Sequence, residues 1–303
     1  IDDVINVATS TSGQIVLISL LGNQTVSQPI NTTTEVVLSG NSLSINQPVR
    51  SSNNIYVYPT NPSLAFVILP TTSTLSGVPE GSGGLVLTQS EINFLQSTNV
   101  IYFGSQELLT RIFLGDRSIT PVVLPGLNTV LRGDTIHVLS PLEAQNLYII
   151  GDGSTTTLSA NVSGLSQTIN DTLEVDGTRS MTATAGSIII GNPGGQIDGN
   201  GAGGADSLTL TATGTITVSN GVGQNKALQD LTLNAGGAVD IGGAVTLTGS
   251  LTVTNGTTVR FRGGVTIGGN LTITNASDIV FDGPVTVTGN LTIAKGASIN
   301  FNG

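Results

Sequence analysis

The chain predicts an all-β fold, a parallel β-helix of short stacked coils, and three observations lead there. A unit recurs about every 20 residues over the last quarter of the chain; it consists of apolar–x–apolar triplets; and Gly, Asn, Ser and Pro separate the triplets. The first triplet of each unit reads Leu231-Thr232-Leu233, Leu251-Thr252-Val253, Leu271-Thr272-Ile273 and Leu291-Thr292-Ile293. The second reads Val239-Asp240-Ile241, Val259-Arg260-Phe261, Ile279-Val280-Phe281 and Ile299-Asn300-Phe301. The third reads Val245-Thr246-Leu247, Val265-Thr266-Ile267 and Val285-Thr286-Val287. A triplet with apolar ends has the period of a strand with one buried face. Three such strands and three turns make one coil, and its inward face can be covered only by the coils above and below. The frame holds from 228 to 303 without an insertion. A leucine-rich repeat, the main rival at this period, needs an L-x-x-L-x-L-x-x-N spacing that is absent.

Upstream the vocabulary persists while the period loosens. Leu208-Thr209-Leu210 and Ile216-Thr217-Val218 precede Leu231 by a longer coil, whose extra residues are assigned to 221–226. Ser187-Ile188-Ile189-Ile190 and Leu173-Glu174-Val175 read as strands of earlier coils, and the glycine-rich stretch 191–206 as one long protruding turn. Regular β-helix is therefore expected over 170–303. Residues 1–169 are expected to be irregular β-helix or a separate β domain, since strands such as "NIYVY" and "LAFVIL" recur there at no fixed interval. Two helix-start signals interrupt them. Thr88-Gln89-Ser90-Glu91 has capping-box spacing, predicting a short helix near 89–97. Ser140-Pro141-Leu142-Glu143 places Pro at a first helical position, predicting a turn of helix near 141–146.

Composition excludes several functions. Charged residues are only 9%, aromatics 4%, and glycines number 40. Low charge with regularly spaced Val, Ile and Leu does not fit disorder. A net charge of −10 without basic clusters argues against nucleic acid, whose phosphates need Lys and Arg. No apolar run is long enough to span a membrane. Cysteine is absent, which a long stacked solenoid tolerates. The chain opens on Ile1 and its sole methionine is Met181, so continuation into a larger polypeptide is expected.

Three stretches resemble a known family. "GGLVLTQSEINFLQSTNVIYFG" (83–104) is similar to a segment of large bacterial exoproteins of the filamentous-haemagglutinin type. "ADSLTLTATGTITVSNGVGQNKALQDLTLNAGGAVDIGGAV" (205–245) and the coils to Gly303 resemble the repeats that follow it there. The resemblance implies a right-handed β-helix secreted across a Gram-negative envelope to the cell surface, serving as an adhesin or matrix fibre. The Asn-Pro-Asn-Gly-like motifs of the family's secretion domain are missing; only Asn61-Pro62-Ser63 approaches them, which points to an internal segment of the fibre.

Catalytic and metal-binding constellations are sparse. "IDGNG" (197–201) resembles a phrase of polygalacturonases, but His137 is the only histidine and reads as a strand side chain. Asp198 and Asp206 flank a glycine-rich loop without the paired acid and base that glycosidic chemistry uses. The outward column 240, 260, 280, 300 changes from Asp to Arg, Val and Asn, unlike a catalytic face. No catalytic residue or cofactor is assigned, and an enzyme is not expected. Asp198 and Asp206 are the candidates for an incidental calcium ion, since Gly204-Ala205-Asp206-Ser207-Leu208 matches half of a calcium-binding coil. The threonine ladders 232, 252, 272, 292 and 246, 266, 286 suit exposed strand positions. An ice-binding array is the lesser reading.

The expected function is a non-enzymatic, stiff stalk or fibre of a secreted surface protein, whose partner is a cell-surface glycan or protein. The alternative is a self-assembling envelope, sheath or filament subunit, pairing with copies of itself at open coil ends. Candidate contact residues lie where the repetition fails: Tyr56, Tyr58, Asn192, Asp198, Asn200 and Asn225.

Overall fold

The computed structural model describes residues 3–5, 15–61, 64–70, 84–104, 110–191, 194–201 and 205–303. The protein is all-β, 60% strand and 2% helix, and its parallel stacked coils form about 12 turns of β-solenoid. Two compact units divide it, Ile1–Asp152 and Gly153–Gly303.

In the second unit the triplets stack in register, like on like. The first column runs Leu208, Leu231, Leu251, Leu271, Leu291. The second runs Ile216, Val239, Val259, Ile279, Ile299, with Val218, Ile241, Phe261, Phe281 and Phe301 beside it. The third runs Ile197, Val222, Val245, Val265, Val285. Up to Phe281 the apolar ends of the triplets are sealed from solvent; Leu231, Val239, Ile241, Val245 and Leu251 are all 0% exposed, and the last coil, with Leu291, Ile299 and Phe301, is open. The threonines between them pair across coils as Thr232, Thr252, Thr272 and Thr292 on the outer face. Turns must pass close over one another: a Cβ on Gly242 would lie 2.0 Å from the Ser219 carbonyl oxygen, so only glycine fits. The longer coil also resolves. Val222 occupies the third column and Leu228 bridges to Leu247, so the extra residues are confined between those two positions.

The stretch 191–206 departs from a single protruding turn. Ile197–Gly199 is a strand, paired with Leu173, Glu174 and Val175. Ile197 continues the inner column, and Asp198 is nearly enclosed beside it at 3% exposure.

The first unit is also a parallel solenoid, and its register explains why no period is visible. One inner column runs Leu38, Val57, Phe103, Leu131, Ile149. On another face the strand Ala65–Leu69 is flanked by Gly84–Thr88 on one side and Arg111–Leu114 on the other, with Leu85 and Ile112 both opposite Phe66. Stacking order there differs from what uninterrupted winding would produce, and the loops between strands vary in length accordingly. Phe66 and Phe103 meet in the core with ring centroids 5.7 Å apart, each 0% exposed.

Both helix expectations need correction. The first shrinks to one turn, Gln89–Ile92. Its capping signal is real: Glu91 Oε2 accepts from the Thr88 backbone N–H at 2.9 Å and from the Thr88 hydroxyl at 2.8 Å. The other carboxylate oxygen of Glu91 accepts from the Ile45 backbone N–H at 3.3 Å, tying the turn to a neighbouring coil. The helix cannot extend because Leu95–Ser97 is claimed by pairing with Val49, Arg50 and Ser51. The second helix does not form. Leu142–Leu158 is one strand, with Leu142 and Glu143 opposite Val122 and Val123, and Asn146 to Gly151 opposite Asn128 to Gly133. Leu142 and Ala144, and after a one-residue shift of phase Leu147 and Ile149, are buried in pairs two residues apart, as in a strand. Among the described residues, no helix is long and apolar enough to cross a membrane.

Candidate binding face

In the first unit, the residues between inward positions form a second column facing away from the inner one: Val37, Tyr56, Tyr102, Val130, Tyr148, with Val37 and Val130 buried beneath their neighbours. Parallel in-register pairing puts neighbouring rungs ~4.8 Å apart, which is ring-stacking distance. Tyr56 and Tyr102 do stack, with centroids 4.7 Å apart and planes at 11°. Val130 is too small to continue the stack, and the next rung carries Tyr148, 39% exposed. The result is a groove of about 390 Å³ floored by Val130 and bordered by Tyr102, Tyr148, Asn128, Ile150 and Arg132.

An asparagine ladder runs along one margin. Asn99 Nδ2 donates to Asn54 Oδ1 at 2.9 Å, Asn128 Nδ2 to the Asn99 carbonyl at 3.1 Å, and Asn146 Nδ2 to Asn128 Oδ1 at 3.0 Å. Such a ladder fixes the turn before each outward rung and holds amide groups beside the aromatic stripe. At its far end, Asn54 Nδ2 donates to the Tyr56 hydroxyl at 3.0 Å, and that hydroxyl donates to Glu35 Oε1 at 3.2 Å. Partial burial raises the Tyr56 phenol above its ordinary 10.0; the Asn54 hydrogen bond opposes this and the Glu35 carboxylate reinforces it. Tyr56 is therefore a neutral donor anchored in the wall. Tyr58 lies on the same strand, half-buried and opposite Ser39.

Arg132 stands apart from these networks. Its guanidinium makes no hydrogen bond or ion pair among the described residues, and its Nε is shut away from solvent. A cation set against apolar walls without a partner keeps much of its field.

The remaining candidates gather in the second unit. Asp198 accepts from Gln196 Nε2 at 2.6 Å, from the Asn225 backbone and side-chain N–H groups at 3.1 Å each, and from the Lys226 N–H at 3.4 Å. Asp206, 6% exposed, accepts from the Gly177 N–H at 2.8 Å, the Asn200 N–H at 2.9 Å and the Gly201 N–H at 3.4 Å. Lys226 Nζ closes the knot, donating to the Asn200 carbonyl at 3.3 Å and lying 3.7 Å from Glu174. Asp198, Asn200, Asp206 and Asn225 are thus one assembly in which N–H donors surround both carboxylates and hold three turns together. A cation placed there would have to displace those donors. Among the described residues, no three His, Asp or Glu side chains converge on a point that could hold a metal. Asn192 lies outside the described residues. His137 is a strand side chain, half-buried, its ring 4.9 Å from Phe113 and nearly parallel to it. Burial first, then the charges of Arg111 and Arg117, lower its pKa below 6.5.

Tyr102, Tyr148, Asn128, Asn146 and Arg132 were not singled out from the sequence. A signal was present: Asn54-Ile-Tyr-Val and Asn146-Leu-Tyr-Ile are the same phrase, and Asn128-Thr-Val-Leu and Val100-Ile-Tyr-Phe are variants of it. The unequal gaps between these phrases conceal that they stack.

Comparison of the chain with protein-family models, with curated proteins and with solved structures finds no match.

Proposed function

We propose that this chain is a stiff, non-enzymatic β-solenoid segment of a secreted bacterial surface protein, and that the outer face of its first unit is adhesive. The observation that carries the reading is the groove between Tyr102 and Tyr148. Aromatic rings cost little conformational entropy to present, offer a flat apolar face and tolerate water, which is why they serve at contact surfaces. A solenoid suits such a role mechanically, because every coil is hydrogen-bonded to its neighbours and the outer positions can vary without disturbing the core. The resemblance of 83–104 and 205–303 to adhesive exoproteins is in keeping with it.

The test is binding of the whole chain to an array of cell-surface glycans and extracellular-matrix proteins, beside the Tyr102→Ser/Tyr148→Ser double variant. Both substitutions are on the outer face, so circular dichroism and thermal unfolding should remain close to the parent. Binding that the double variant loses supports the reading. No binding, or equal binding by both chains, would overturn it, and concentration-dependent assembly by light scattering would then favour a self-associating subunit.

A further inference from the structure

Taking that outer face as the binding surface, we infer that its ligand is an acidic polysaccharide bearing about one carboxylate per disaccharide, seated along the groove from Tyr102 to Tyr148 with the carboxylate on Arg132.

The backbone excludes an extended peptide as the occupant. The strands carrying Tyr102, Val130 and Tyr148 are paired to one another along the groove, so no free strand edge is offered to a peptide that would add by main-chain hydrogen bonds. What the face offers is side chains alone: two phenol rings, an amide margin and one guanidinium. That set matches a sugar chain, whose ring faces stack on aromatics and whose hydroxyls pair with amides.

The spacing matches as well. Tyr102 and Tyr148 are two rungs apart in register, with Val130 between them. At ~4.8 Å per rung the rings are separated by about 10 Å, the advance of two linked pyranoses. Two sugars that are next-but-one in the chain can lie against the two tyrosines while the sugar between them passes over Val130, the low point of the floor.

Charge then selects among sugars. Arg132 lines the groove and has no partner among the described residues; of its guanidinium nitrogens only Nε is shut away, so the terminal pair remains open. A planar guanidinium binds a carboxylate through two parallel hydrogen bonds, and apolar surroundings strengthen that pair. Glu35, on the rung beyond Tyr56, is engaged with Tyr56 and Asn54 at the other end of the stripe, four rungs from Tyr148. One cation over two rungs calls for one carboxylate over two sugars.

The experiment is calorimetric titration of the whole chain with a hexasaccharide of alternating glucuronate and glucose. Its carboxyl-reduced counterpart, a neutral glucan of the same linkage, is titrated alongside. The acidic chain should bind at least tenfold more tightly than the neutral one. Arg132→Gln should remove that preference, Arg132→Lys should keep part of it, and Tyr148→Ser should weaken both ligands about equally. Equal affinity for the two hexasaccharides, or an undiminished preference in Arg132→Gln, would overturn the acidic ligand while leaving the face intact. If neither sugar binds the parent chain, or if Tyr148→Ser changes nothing, this inference falls, while the adhesive face is still decided by the array of glycans and matrix proteins.

Discussion

Phe281→Ala is the perturbation that most directly tests how the regular coils hold together. Phe281 is 0% exposed and lies between two other rings, with centroids 5.3 Å from Phe261 and 5.0 Å from Phe301, all nearly parallel. Truncating a buried Phe costs about 3–5 kcal/mol, and two stacking contacts of about 0.5–1.5 kcal/mol each put this site at the upper end. Phe301 is chemically identical but 52% exposed and stacks on one side only, so Phe301→Ala should cost roughly 1–2 kcal/mol. Coil stability is close to a sum of nearest-neighbour terms, so the damage should stay local. Native-state hydrogen exchange reads this directly. In Phe281→Ala the amides of Leu271–Ile273, Ala276–Phe281 and Ser298–Phe301 should lose protection, while those of Ser207–Ala212 and Ile216–Val218 keep it. Equal cost for the two substitutions, or uniform loss of protection along the unit, would refute stacking as the source of stability.

Five further outcomes are expected. Gly223→Ala combines a φ of +69° with a Cβ 2.1 Å from the Thr246 carbonyl oxygen, and should cost more than about 2 kcal/mol by urea unfolding. Gly194→Ala, at φ +104° but with nothing within 4 Å of the new carbon, should cost only about 1–2 kcal/mol. Asp198→Ala leaves the Gln196, Asn225 and Lys226 donors without their acceptor and should cost about 2–4 kcal/mol, with exchange at the Asn225 and Lys226 amides rising first. Calcium added to the parent chain should not raise its unfolding temperature if those carboxylates serve the turns alone. For His137 the folded pKa lies below 6.5, so the unfolded chain takes up the proton first. Stability from this group is therefore complete above pH 6.5 and declines as pH falls below it, and unfolding at pH 7.5 and 5.5 should differ less in His137→Phe than in the parent.

The coils were legible where one residue type does one job at a fixed interval. Leu231, Leu251 and Leu271 recur because each must cover the last, and glycines such as Gly242 recur because a side chain there would strike the turn beneath. The helix expected near 141–146 shows the opposite case. Pro141 and Glu143 are true local signals, but their worth is small beside a strand partner on the neighbouring coil, which takes Leu142/Ala144 and, after a shift of phase, Leu147/Ile149 inward. The helix at Gln89 had the correct cap and the wrong length for the same reason: Leu95 had a partner in Val49 that no local window contains.

The binding face was hidden by a related effect. A solenoid brings together residues that occupy equal phases of successive coils, and phase can be read only where coil length is constant. In the first unit Gly84–Thr88 sits against Ala65–Leu69 and breaks that constancy, so Tyr56 and Tyr102 meet across a detour. Tyr56 could be named as an exposed aromatic, but not as one member of a column. The detour does not alter the rung spacing, which backbone hydrogen bonding sets. A column of outward residues at that spacing therefore survives irregular winding, and the place to look for recognition on such a chain is the third residue of each phrase like Asn54-Ile-Tyr-Val, its variants Val100-Ile-Tyr-Phe and Asn128-Thr-Val-Leu included, wherever its coil happens to fall.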